Sequence, residues 1–600
     1  MSTHFEFTLN GRTVQVTDES TNKSLLSYLR GTGCTGSKEG CAEGDCGACT
    51  VAVVDRTASG KTTYRAINSC IALLPSLAGR EVITVEGIGT PEALHPVQAA
   101  MVRKYGSQCG YCTPGFIASM FEGYYRENLE EGWQVNDQLN GNLCRCTGYR
   151  PIREAFLDAQ QNRASEDPFR ERLAQAPPAL DEVEYTTASQ RWLRPTTLAA
   201  LLELRSQHPE AVLVCGATEL GVYINKANKR YPLLISTEAV PELSRISRSD
   251  EALVVGASAS LTALEESLAG DFPQLQKMLL VFASRPIRNR ASLGGNLVTA
   301  SPIGDMAPVL LSLGATVQLA SQRGTRTVEL ADFFVGYRKT VLAADEIMVS
   351  VTIPRAAARL AASYKVSKRR ELDIAIVSAG FWLDLEGDKV SGARLAYGGV
   401  AAMPSRALKT EAFLLGKPWN ADTVASACEV LAGEFAPIDD VRAGAAFRRG
   451  LIVSLFEKFW LGEESAAQDG PLDFCVGPGY AEAEASRALK HESAIGHVTG
   501  TAIYVDDQAS LRPMLEIWPV LSTQGHARIL KLDTSLAEKM PGIVRVLTAQ
   551  DVPGINDIGA LRQDEALFAD GEVFFHGQIV AAVVGRTLEE CKTAAAAVVV

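Results

Sequence analysis

The stretch "GCAEGDCGAC" at residues 40–49 places three cysteines, Cys41, Cys46 and Cys49, close together, and Cys70 follows about twenty residues later. Cysteines are crowded into this end of the chain, since nine of the 13 lie before residue 147. In a small secreted protein such crowding would indicate disulfides. In a reducing compartment it indicates metal or redox chemistry instead. The cysteine spacing therefore decides how the first part of the chain is interpreted.

The spacing Cys-x4-Cys-x2-Cys with a fourth cysteine downstream is typical of a plant-type ferredoxin loop, which wraps a 2Fe–2S cluster with four thiolates. Gly40, Gly44 and Gly47 let the backbone curl closely around a cluster, so that its N–H groups can donate hydrogen bonds to the sulfides. A zinc site made from the same cysteines is the alternative. Zinc favours two Cys-x2-Cys pairs and needs no glycine-lined loop. We therefore favour the cluster.

Two more close pairs of cysteines follow at unequal spacings. Cys109 and Cys112 lie in "SQCGYCTPG" (107–115), and Cys144 and Cys146 lie in "GNLCRCTGYRP" (141–151). Alone, these pairs do not distinguish a single metal ion from an iron–sulfur cluster. A Cys-x-Cys pair binds one ion only with strain, but its two thiolates can bind the two irons of a cluster. Beside a ferredoxin-type loop they indicate a second cluster. Gly110 and the "TPG" sequence place the first pair at a turn before a helix, whose N-terminal dipole favours an anionic cluster.

The flanking sequence predicts two small modules around these cysteines. "HFEFTL", the turn "NGR" and "TVQV" alternate apolar and polar residues as a β-hairpin does, and "SLLSYLRG" predicts a short helix. This order of hairpin, helix and further strands indicates a β-grasp module. From residue 96 the apolar spacing becomes helical, for example at Ile117, Met120, Phe121 and Tyr124. The second module is therefore predicted to be a helical bundle.

The remaining chain is divided by polar segments rich in charge, Gly and Pro. We predict an α+β multidomain protein, in which a Thr262–Glu265 capping box begins one helix of the second block. The last block stops inside the apolar run "AAAAVVV", and we expect it to be the incomplete α/β start of a larger domain. The predicted divisions are a ferredoxin-type β-grasp domain at 1–88, a helical cluster domain at 89–160, a linker at 161–189, a ligand-binding α+β domain at 190–358 with its C-terminal subdomain at 359–465, a linker at 466–488 and the incomplete domain at 489–600.

Composition excludes several classes of function. The 600 residues are 46% hydrophobic and 21% charged, as in an ordinary globular protein with several domains. The net charge of −12, without a strong basic block, argues against a nucleic-acid partner. The sequence "MSTHFEFTLNGRTVQV" has neither the basic nor the apolar region of a secretory signal, and no apolar run approaches the roughly 20 residues that span a bilayer. We therefore expect a cytoplasmic protein without a membrane partner.

The combined motif "GCAEGDCGAC…QCGYCTPG…NLCRCTGYRPI" resembles the iron–sulfur portion of the molybdenum hydroxylases, the family of xanthine dehydrogenase and aldehyde oxidase. The resemblance covers the whole first block. It implies that one 2Fe–2S cluster, on the flavin side, is bound by Cys41, Cys46, Cys49 and Cys70. It implies that the other, on the molybdenum side, is bound by Cys109, Cys112, Cys144 and Cys146. Gln108 matches a residue of the family that contacts the pterin cofactor.

Two loops of the second block resemble the flavin site of the same family. "LVCGATELG" (213–221) is a strand entering a Gly-rich turn that can offer N–H groups to phosphates, and "ASLGGNLVTASPIGDMAP" (291–308) is a longer glycine-rich polar loop. "GYRKT" (336–340) and "YKVSKRRELDIA" (364–375) also fit. The FAD contacts implied by the resemblance are Leu213, Val214, Cys215, Gly216, Ala217, Thr218, Glu219, Leu220, Phe282, Ser292, Gly295, Asn296, Thr299, Asp305, Met348 and Lys365.

The third block resembles the beginning of the family's molybdenum domain in "KHESAIGHVTGTAIYVDD" (490–507) and "FFHGQIVAAVVG" (574–585). His491, His497 and His576 lack ligand spacing, and the family binds its metal through the pterin, so we expect these histidines to be structural. The family's catalytic glutamate and substrate pocket are expected beyond residue 600. The catalytic residues are therefore unknown from this sequence.

The resemblance implies an oxidoreductase that passes electrons from a molybdopterin centre, which hydroxylates hypoxanthine or xanthine, through two 2Fe–2S clusters to FAD and then NAD. The molybdopterin is expected in the missing part or in a partner subunit, and the protein is expected to be an oligomer. The sequence has no free-standing GxGxxG motif, and none is needed if NAD docks on the flavin domain. An aldehyde oxidase or carbon monoxide dehydrogenase relative, a molybdenum-free flavoprotein that oxidises NADH, and a structural zinc module remain as alternatives.

Overall fold

The amino-terminal hairpin forms because Phe5, Phe7 and Leu9 are buried while the residues between them are more exposed. The computed structural model describes residues 2–127, 129, 132–355, 360–462, 490–509 and 513–600. In it, helix Leu25–Gly31 packs Leu25 and Leu29 into the same core. The confirmed β-grasp sheet has the strand order Arg12–Thr17, His4–Leu9, Glu81–Ile83, Thr50–Arg56 and Thr62–Asn68, with His4–Leu9 and Glu81–Ile83 parallel.

The second module is the predicted helical bundle. Ile117, Met120, Phe121 and Tyr124 lie on one helix, as predicted, and this helix is buried along its whole length. The helices of this module are Val85–Ile88, Pro96–Arg103, Thr113–Tyr125, Gly132–Leu139 and Arg150–Gln161.

The segment 161–189, predicted as a linker, contains ordered elements. Asp167 caps helix Pro168–Leu173 by accepting a hydrogen bond from Arg170 N at 2.8 Å, and Phe169 O accepts one from the Tyr64 hydroxyl at 2.9 Å. Strand Val183–Thr186 then enters the sheet of the next domain. The chain between the cluster modules and the following domain is therefore packed against both.

That domain has two sheets and many short helices. One sheet has the order Val183–Thr186, Arg191–Arg194, Leu233–Ser236 and Val212–Val214, and the other has Ile246–Arg248, Ala252–Gly256, Ile347–Pro354, Thr316–Ser321 and Gly324–Glu329. A further pair of strands is Phe334–Gly336 and Lys339–Thr340. The helices are Leu198–Gln207, Leu220–Lys226, Pro241–Ser244, Leu261–Ser267, Pro273–Val281, Arg285–Arg288, Leu293–Val298, Met306–Leu313 and Leu330–Phe333.

The predicted Thr262–Glu265 capping box is wrong. The helix begins two residues earlier than that pattern indicates, with Ser260 as its N-cap accepting a hydrogen bond from Ala263 N at 3.1 Å. Thr262 lies inside the helix and donates to Asn289 Oδ1 at 2.8 Å. Ser260, and not Thr262, therefore satisfies the first turn of this helix.

A C-terminal subdomain follows, in which three helices pack on an antiparallel sheet. Its strands are Leu360–Val366, Val377–Glu386, Lys389–Gly398 and Ser405–Arg406, and its helices are Leu408–Leu414, Ala421–Ala432 and Ala445–Leu461. The second predicted linker, 466–488, lies outside the described residues. In the described ranges no helix is both long and apolar enough to cross a membrane.

The chain divides into two units, residues 1–502 and 503–600. Helix Ala494–Thr499, beyond the second linker, belongs to the first unit. The second unit contains helices Val505–Ala509 and Leu588–Ala596, a sheet in the order Glu516–Leu521, Ile579–Gly585 and Ile543–Leu547, and a pair of short strands, Ala527–Arg528 and Glu572–Val573. The α+β multidomain class is thus confirmed.

Candidate functional site

The structure brings the four cysteines of the ferredoxin-type set together. Cys41 lies within hydrogen-bonding reach of Cys46 and Cys70, and Cys49 lies within reach of Cys70. Hydrogen bonding from the Cys46 thiol lowers the pKa of Cys41 far below that of an ordinary thiol. Four converging sulfurs are the donor set that a 2Fe–2S cluster requires.

The loop between these cysteines also points its backbone inward. The N–H groups of Glu43, Asp45 and Cys46 donate to Cys41 Sγ at 3.5, 3.3 and 3.3 Å. Gly44 and Gly47 have φ of +83° and +70°, which glycine adopts without strain and which aim these groups at the sulfur. The loop therefore fits a negatively charged cluster, and its N–H groups can supply the hydrogen bonds that adjust the reduction potential of such a cluster.

The second set of cysteines converges from two loops of the helical module. Cys109 lies within reach of Cys146, and Cys112 within reach of Cys144. Thr147 donates to Cys144 Sγ through its N–H at 3.5 Å, while burial raises the pKa of the Cys112 thiol. Across the described ranges no group of three or more His, Cys, Asp or Glu side chains is arranged to hold a metal ion.

The two cysteine loops touch each other directly. Leu143 N donates to Cys46 O at 2.9 Å, so that the residue before Cys144 is bonded to a predicted ligand of the other set. Asn142 Nδ2 donates to Gly47 O at 3.0 Å. Gly47 has no room for a side chain, because a Cβ atom there would lie 2.1 Å from Gly141 O. Two clusters held by these loops would be neighbours.

A cavity of about 580 Å³ opens in the following domain, and its wall includes every residue named above as an FAD contact. Strand Val212–Val214 runs into its turn, where Ala217 has φ of +59° and a Cβ on Gly216 would lie 1.7 Å from Arg290 O. Helix Leu293–Val298 begins at the cavity with Ser292 as its N-cap. The chain thus brings main-chain N–H groups close to whatever fills the cavity.

Buried polar atoms in this cavity fit a polar ligand. Asn296 Oδ1 and Asp305 Oδ1 are buried and have no hydrogen-bond partner among the residues that the structure describes. Lys365 Nζ lies 2.8 Å from Asp305 Oδ2, and both side chains are almost fully buried. Burial raises the pKa of Asp305, and the Lys365 ammonium partly offsets this effect. FAD, with its many hydroxyls and ring nitrogens, would satisfy such atoms, so the residues fit the cofactor.

The cavity adjoins the first cysteine loop. Ile287 lines the cavity, and a Cβ atom on Gly44 of that loop would lie 3.0 Å from its side chain. Asn225 Nδ2 donates to Ala42 O at 2.9 Å and to Cys70 O at 2.8 Å, which ties the flavin-type domain to the same loop. The first cysteine set therefore lies between the second cysteine set and the cavity.

Some contacts of the site join residues that no local pattern in the sequence pairs. Arg338 lies 3.2 Å from Glu219 at the cavity, and Thr299 donates to the same carboxylate at 2.8 Å. Ser107, next to Gln108, shares a hydrogen bond of 2.8 Å with His497. The partners are far apart in the sequence, so spacing alone could not have paired them. Of the other histidines named above, His576 is exposed and His491 rests against His497 with ring centroids 5.2 Å apart.

Known protein families match consecutive parts of the chain. The models described as a 2Fe–2S iron–sulfur cluster binding domain and a [2Fe–2S] binding domain match residues 7–74 and 84–157. An FAD binding domain in molybdopterin dehydrogenase matches 185–356, and a CO dehydrogenase flavoprotein C-terminal domain matches 362–462. The a/b hammerhead domain of aldehyde oxidase and xanthine dehydrogenase matches 499–600.

Two curated relatives agree with these matches. Xanthine dehydrogenase/oxidase of Gallus gallus is 34% identical over 99% of this chain and 52% of its own length. Xanthine dehydrogenase of Oryza sativa subsp. japonica is 35% identical over 98% and 50%. Among solved structures, quinoline 2-oxidoreductase from Pseudomonas putida 86 is 29% identical, covers 45% of this chain and 94% of its own, and has a TM-score of 0.42. The chain spans about half the length of the curated relatives that it matches. With its two 2Fe–2S binding domains, its FAD-binding domain and the start of the hammerhead domain, the chain belongs to the molybdenum hydroxylase family.

Proposed function

We propose that this chain is the electron-transfer portion of a xanthine dehydrogenase-type enzyme, carrying electrons from a molybdopterin centre toward FAD and NAD. The observation that carries the proposal is the hydrogen bond of 2.9 Å from Leu143 N to Cys46 O, which joins the two cysteine loops in one continuous path to the cavity. When bound, two 2Fe–2S clusters and FAD would supply one-electron and two-electron redox chemistry. The chain's own residues hold these groups next to one another.

Each part of the chain has its own task in this proposal. Cys41, Cys46, Cys49 and Cys70 ligate the cluster nearer the cavity, and the other four cysteines ligate the cluster nearer the molybdenum centre. The cavity residues hold FAD, with the Asp305–Lys365 pair inside it. Gln108 meets the pterin, which belongs to the part of the family's length that this chain does not span. We also propose the domain boundaries predicted above, with each domain performing the role given to it here.

NAD is proposed to approach the flavin from the side of the segment 364–375. There a second cavity, of about 500 Å³, is lined by Asp45 of the first cysteine loop and by Lys368 and Arg369. Arg369 pairs with Asp373 at 2.6 Å, and its position at the rim offers a cation to an approaching anionic dinucleotide. Bleaching of the flavin absorbance by NADH under anaerobic conditions would support NAD as the electron acceptor. If the reduced flavin is reoxidised by dioxygen and not by NAD, this proposal is contradicted.

The purine substrate is proposed from the relatives, which are named xanthine dehydrogenases. Because the chain spans half of their length, we expect no xanthine hydroxylation by these 600 residues alone, and turnover by them would contradict this assignment. The molybdenum-binding domain or subunit is the proposed partner, in an oligomeric cytosolic protein. Assays of the complete protein with xanthine, an aldehyde and carbon monoxide would distinguish this proposal from the alternatives, an aldehyde oxidase or a carbon monoxide dehydrogenase with the same electron path.

Cysteine variants test the assignment of the two clusters. Two 2Fe–2S clusters require four irons (2 × 2) per chain and give two reduced-cluster EPR signals, whereas zinc gives none. Cys146→Ser is expected to erase or alter one signal, and Cys49→Ser the other. Equal loss of both signals in either variant would contradict the pairing. A molybdenum-free flavoprotein that oxidises NADH would instead lack pterin in every preparation of the complete protein.

A further inference from the structure

The segment after the second linker lies against the cysteine modules. Gln98 Nε2, fully buried in the helical module, donates to Val498 O at 2.9 Å. A Cβ atom on Gly500 would lie 2.5 Å from Val85 and 2.9 Å from Gly36 Cα, so the backbone passes closely between the β-grasp loop and the helical module. Helix Ala494–Thr499 is therefore anchored on both modules, although it lies more than 300 residues further along the chain.

This anchored helix delivers one side chain to the second cysteine loop. The His497 ring is 6% exposed and fills the space beside Gly110, where a Cβ atom would lie 2.3 Å from the ring. His497 Nδ1 is 2.8 Å from Ser107 Oγ, and Thr113 Oγ1 donates to the same hydroxyl at 2.9 Å. Ser107 and Thr113 stand on either side of Cys109 and Cys112, so the hydrogen-bonded chain closes the loop that holds both cysteines.

We propose that His497 is a positioning residue of the second cluster, which fixes the loop 107–113 and with it the environment of Cys109, Cys112 and the neighbouring Gln108. The proposal rests on the function proposed above, namely that these cysteines bind a 2Fe–2S cluster. His497 contacts Ser107 and Gly110, and it acts on the loop through these two residues. Partners outside the ligand shell orient ligands and tune the reduction potential, so the loss of this one is expected to alter the second cluster and leave the first unchanged.

Three substitutions in the full chain separate the contributions of His497. His497→Phe keeps a ring beside Gly110 and removes the hydrogen bond. His497→Asn keeps a polar group at the position of Nδ1 and removes most of the ring. Ser107→Ala removes the same hydrogen bond from the other side. His526→Ala, at an exposed histidine of the second unit, is the matched control.

The readout is the EPR signal of each reduced cluster and the ratio of reduced to oxidised cluster at a fixed potential. His497→Phe and Ser107→Ala are expected to change this ratio for the second cluster by roughly threefold or more, without changing the first. The double variant is expected to change it no further, because both single variants remove one hydrogen bond. His497→Asn and His526→Ala are expected to match the parent chain.

Each contrary result points to a different failure. If the parent chain binds no second cluster, the proposed function fails. If that cluster is bound but its signal and ratio are unchanged in His497→Phe and Ser107→Ala, the positioning role is overturned. It is also overturned if both clusters change equally, or if His497→Asn shifts the ratio as much as His497→Phe does.

Discussion

The Arg285 guanidinium lies 2.9 Å from the Glu122 carboxylate, and both groups are almost fully buried between the flavin-type domain and the helical cluster module. Burial alone would raise the pKa of Glu122, but the guanidinium groups of Arg285, Arg126 and Arg65 lower it below its ordinary value. Gln138 and Ala66 N also donate to this carboxylate, at 3.1 Å each. The charge is thus fully hydrogen-bonded at the junction of domains.

Removal of Glu122 is expected to destabilise this junction strongly. Glu122→Ala leaves the Arg285 charge buried without its partner, and we expect a loss of about 3–5 kcal/mol in the free energy of unfolding. The double variant Glu122→Gln/Arg285→Met is expected to be more stable than Glu122→Ala, because it leaves no unpaired charge. Urea unfolding followed by tryptophan fluorescence measures the free energy of unfolding of both variants.

An exposed ion pair provides the control for this prediction. Arg323 lies 2.7 Å from Asp345 with a 67% exposed side chain, and Arg323→Ala is expected to cost less than about 1 kcal/mol. If Glu122→Ala costs no more than Arg323→Ala, the buried pair does not stabilise the junction.

His95 is expected to make the stability of the chain dependent on pH. Val97 N donates to its Nδ1 at 3.3 Å, its Nε2 contacts the Tyr125 hydroxyl at 2.9 Å, and that hydroxyl donates to Asp167 at 3.0 Å. Burial lowers the pKa of His95 from 6.5 to about 4. His95 takes up a proton near pH 6.5 in the unfolded chain but only near pH 4 in the folded chain. The contribution of neutral His95 to the free energy of unfolding is therefore complete above pH 6.5 and is lost as the pH falls toward 4.

The size of this effect is at most about 3 kcal/mol between pH 7 and pH 4. His95→Gln is expected to flatten the dependence of the urea midpoint on pH across this range. His526→Gln, at an exposed site, is expected to leave it unchanged. A pH dependence in His95→Gln as steep as in the parent chain would assign the effect to other groups.

Gly110→Ala is expected to remove the second cluster selectively. The substitution combines a left-handed backbone, with φ of +82°, and a Cβ atom 2.3 Å from the His497 ring. Gly148→Ala is matched to it, because Gly148 has φ of +68° and open space around it. We expect iron analysis to fall from about four to about two irons per chain for Gly110→Ala and to stay near four for Gly148→Ala. Equal losses would show that backbone strain alone, and not the histidine, is responsible.

Lys365→Met is expected to weaken the binding of FAD. The substitution leaves the buried Asp305 carboxylate without the ammonium that lies 2.8 Å away. An uncompensated charge in the cavity wall costs several kcal/mol, so we expect the chain to lose flavin during gel filtration. The flavin absorbance per chain measures this loss, and Arg323→Gln, at the exposed pair with Asp345, is the control. Full flavin retention by Lys365→Met would place the pair outside the binding site.

The cysteine loops were predictable from the sequence because their geometry is local. Cys41, Cys46 and Cys49 lie within one short turn-rich loop, whose glycines reveal the required backbone. The same holds for the helix that carries Ile117 and Phe121, since helical periodicity repeats over a few residues. The cavity residues lie in separate stretches between 213 and 365, and they were brought together by the family resemblance rather than by spacing.

Other features depend on contacts between distant residues. Arg285 and Glu122 are 163 positions apart, and Ser107 and His497 are 390 apart, so no local pattern links them. Helix Pro168–Leu173 carries a readable signal, an Asp N-cap before a first-turn proline, but the surrounding charges and prolines favoured a linker. Residues that join domains are those that local patterns do not reveal.

Beside the bond from the Asn142 side chain to Gly47 O, the two cysteine loops share a contact made by main-chain atoms alone, Leu143 N and Cys46 O. Side-chain replacement at Leu143 therefore leaves the bond in place, apart from proline, which lacks the N–H group. With clusters bound as proposed, most side-chain replacements at Leu143 are therefore expected to leave the distance between the two redox centres unchanged.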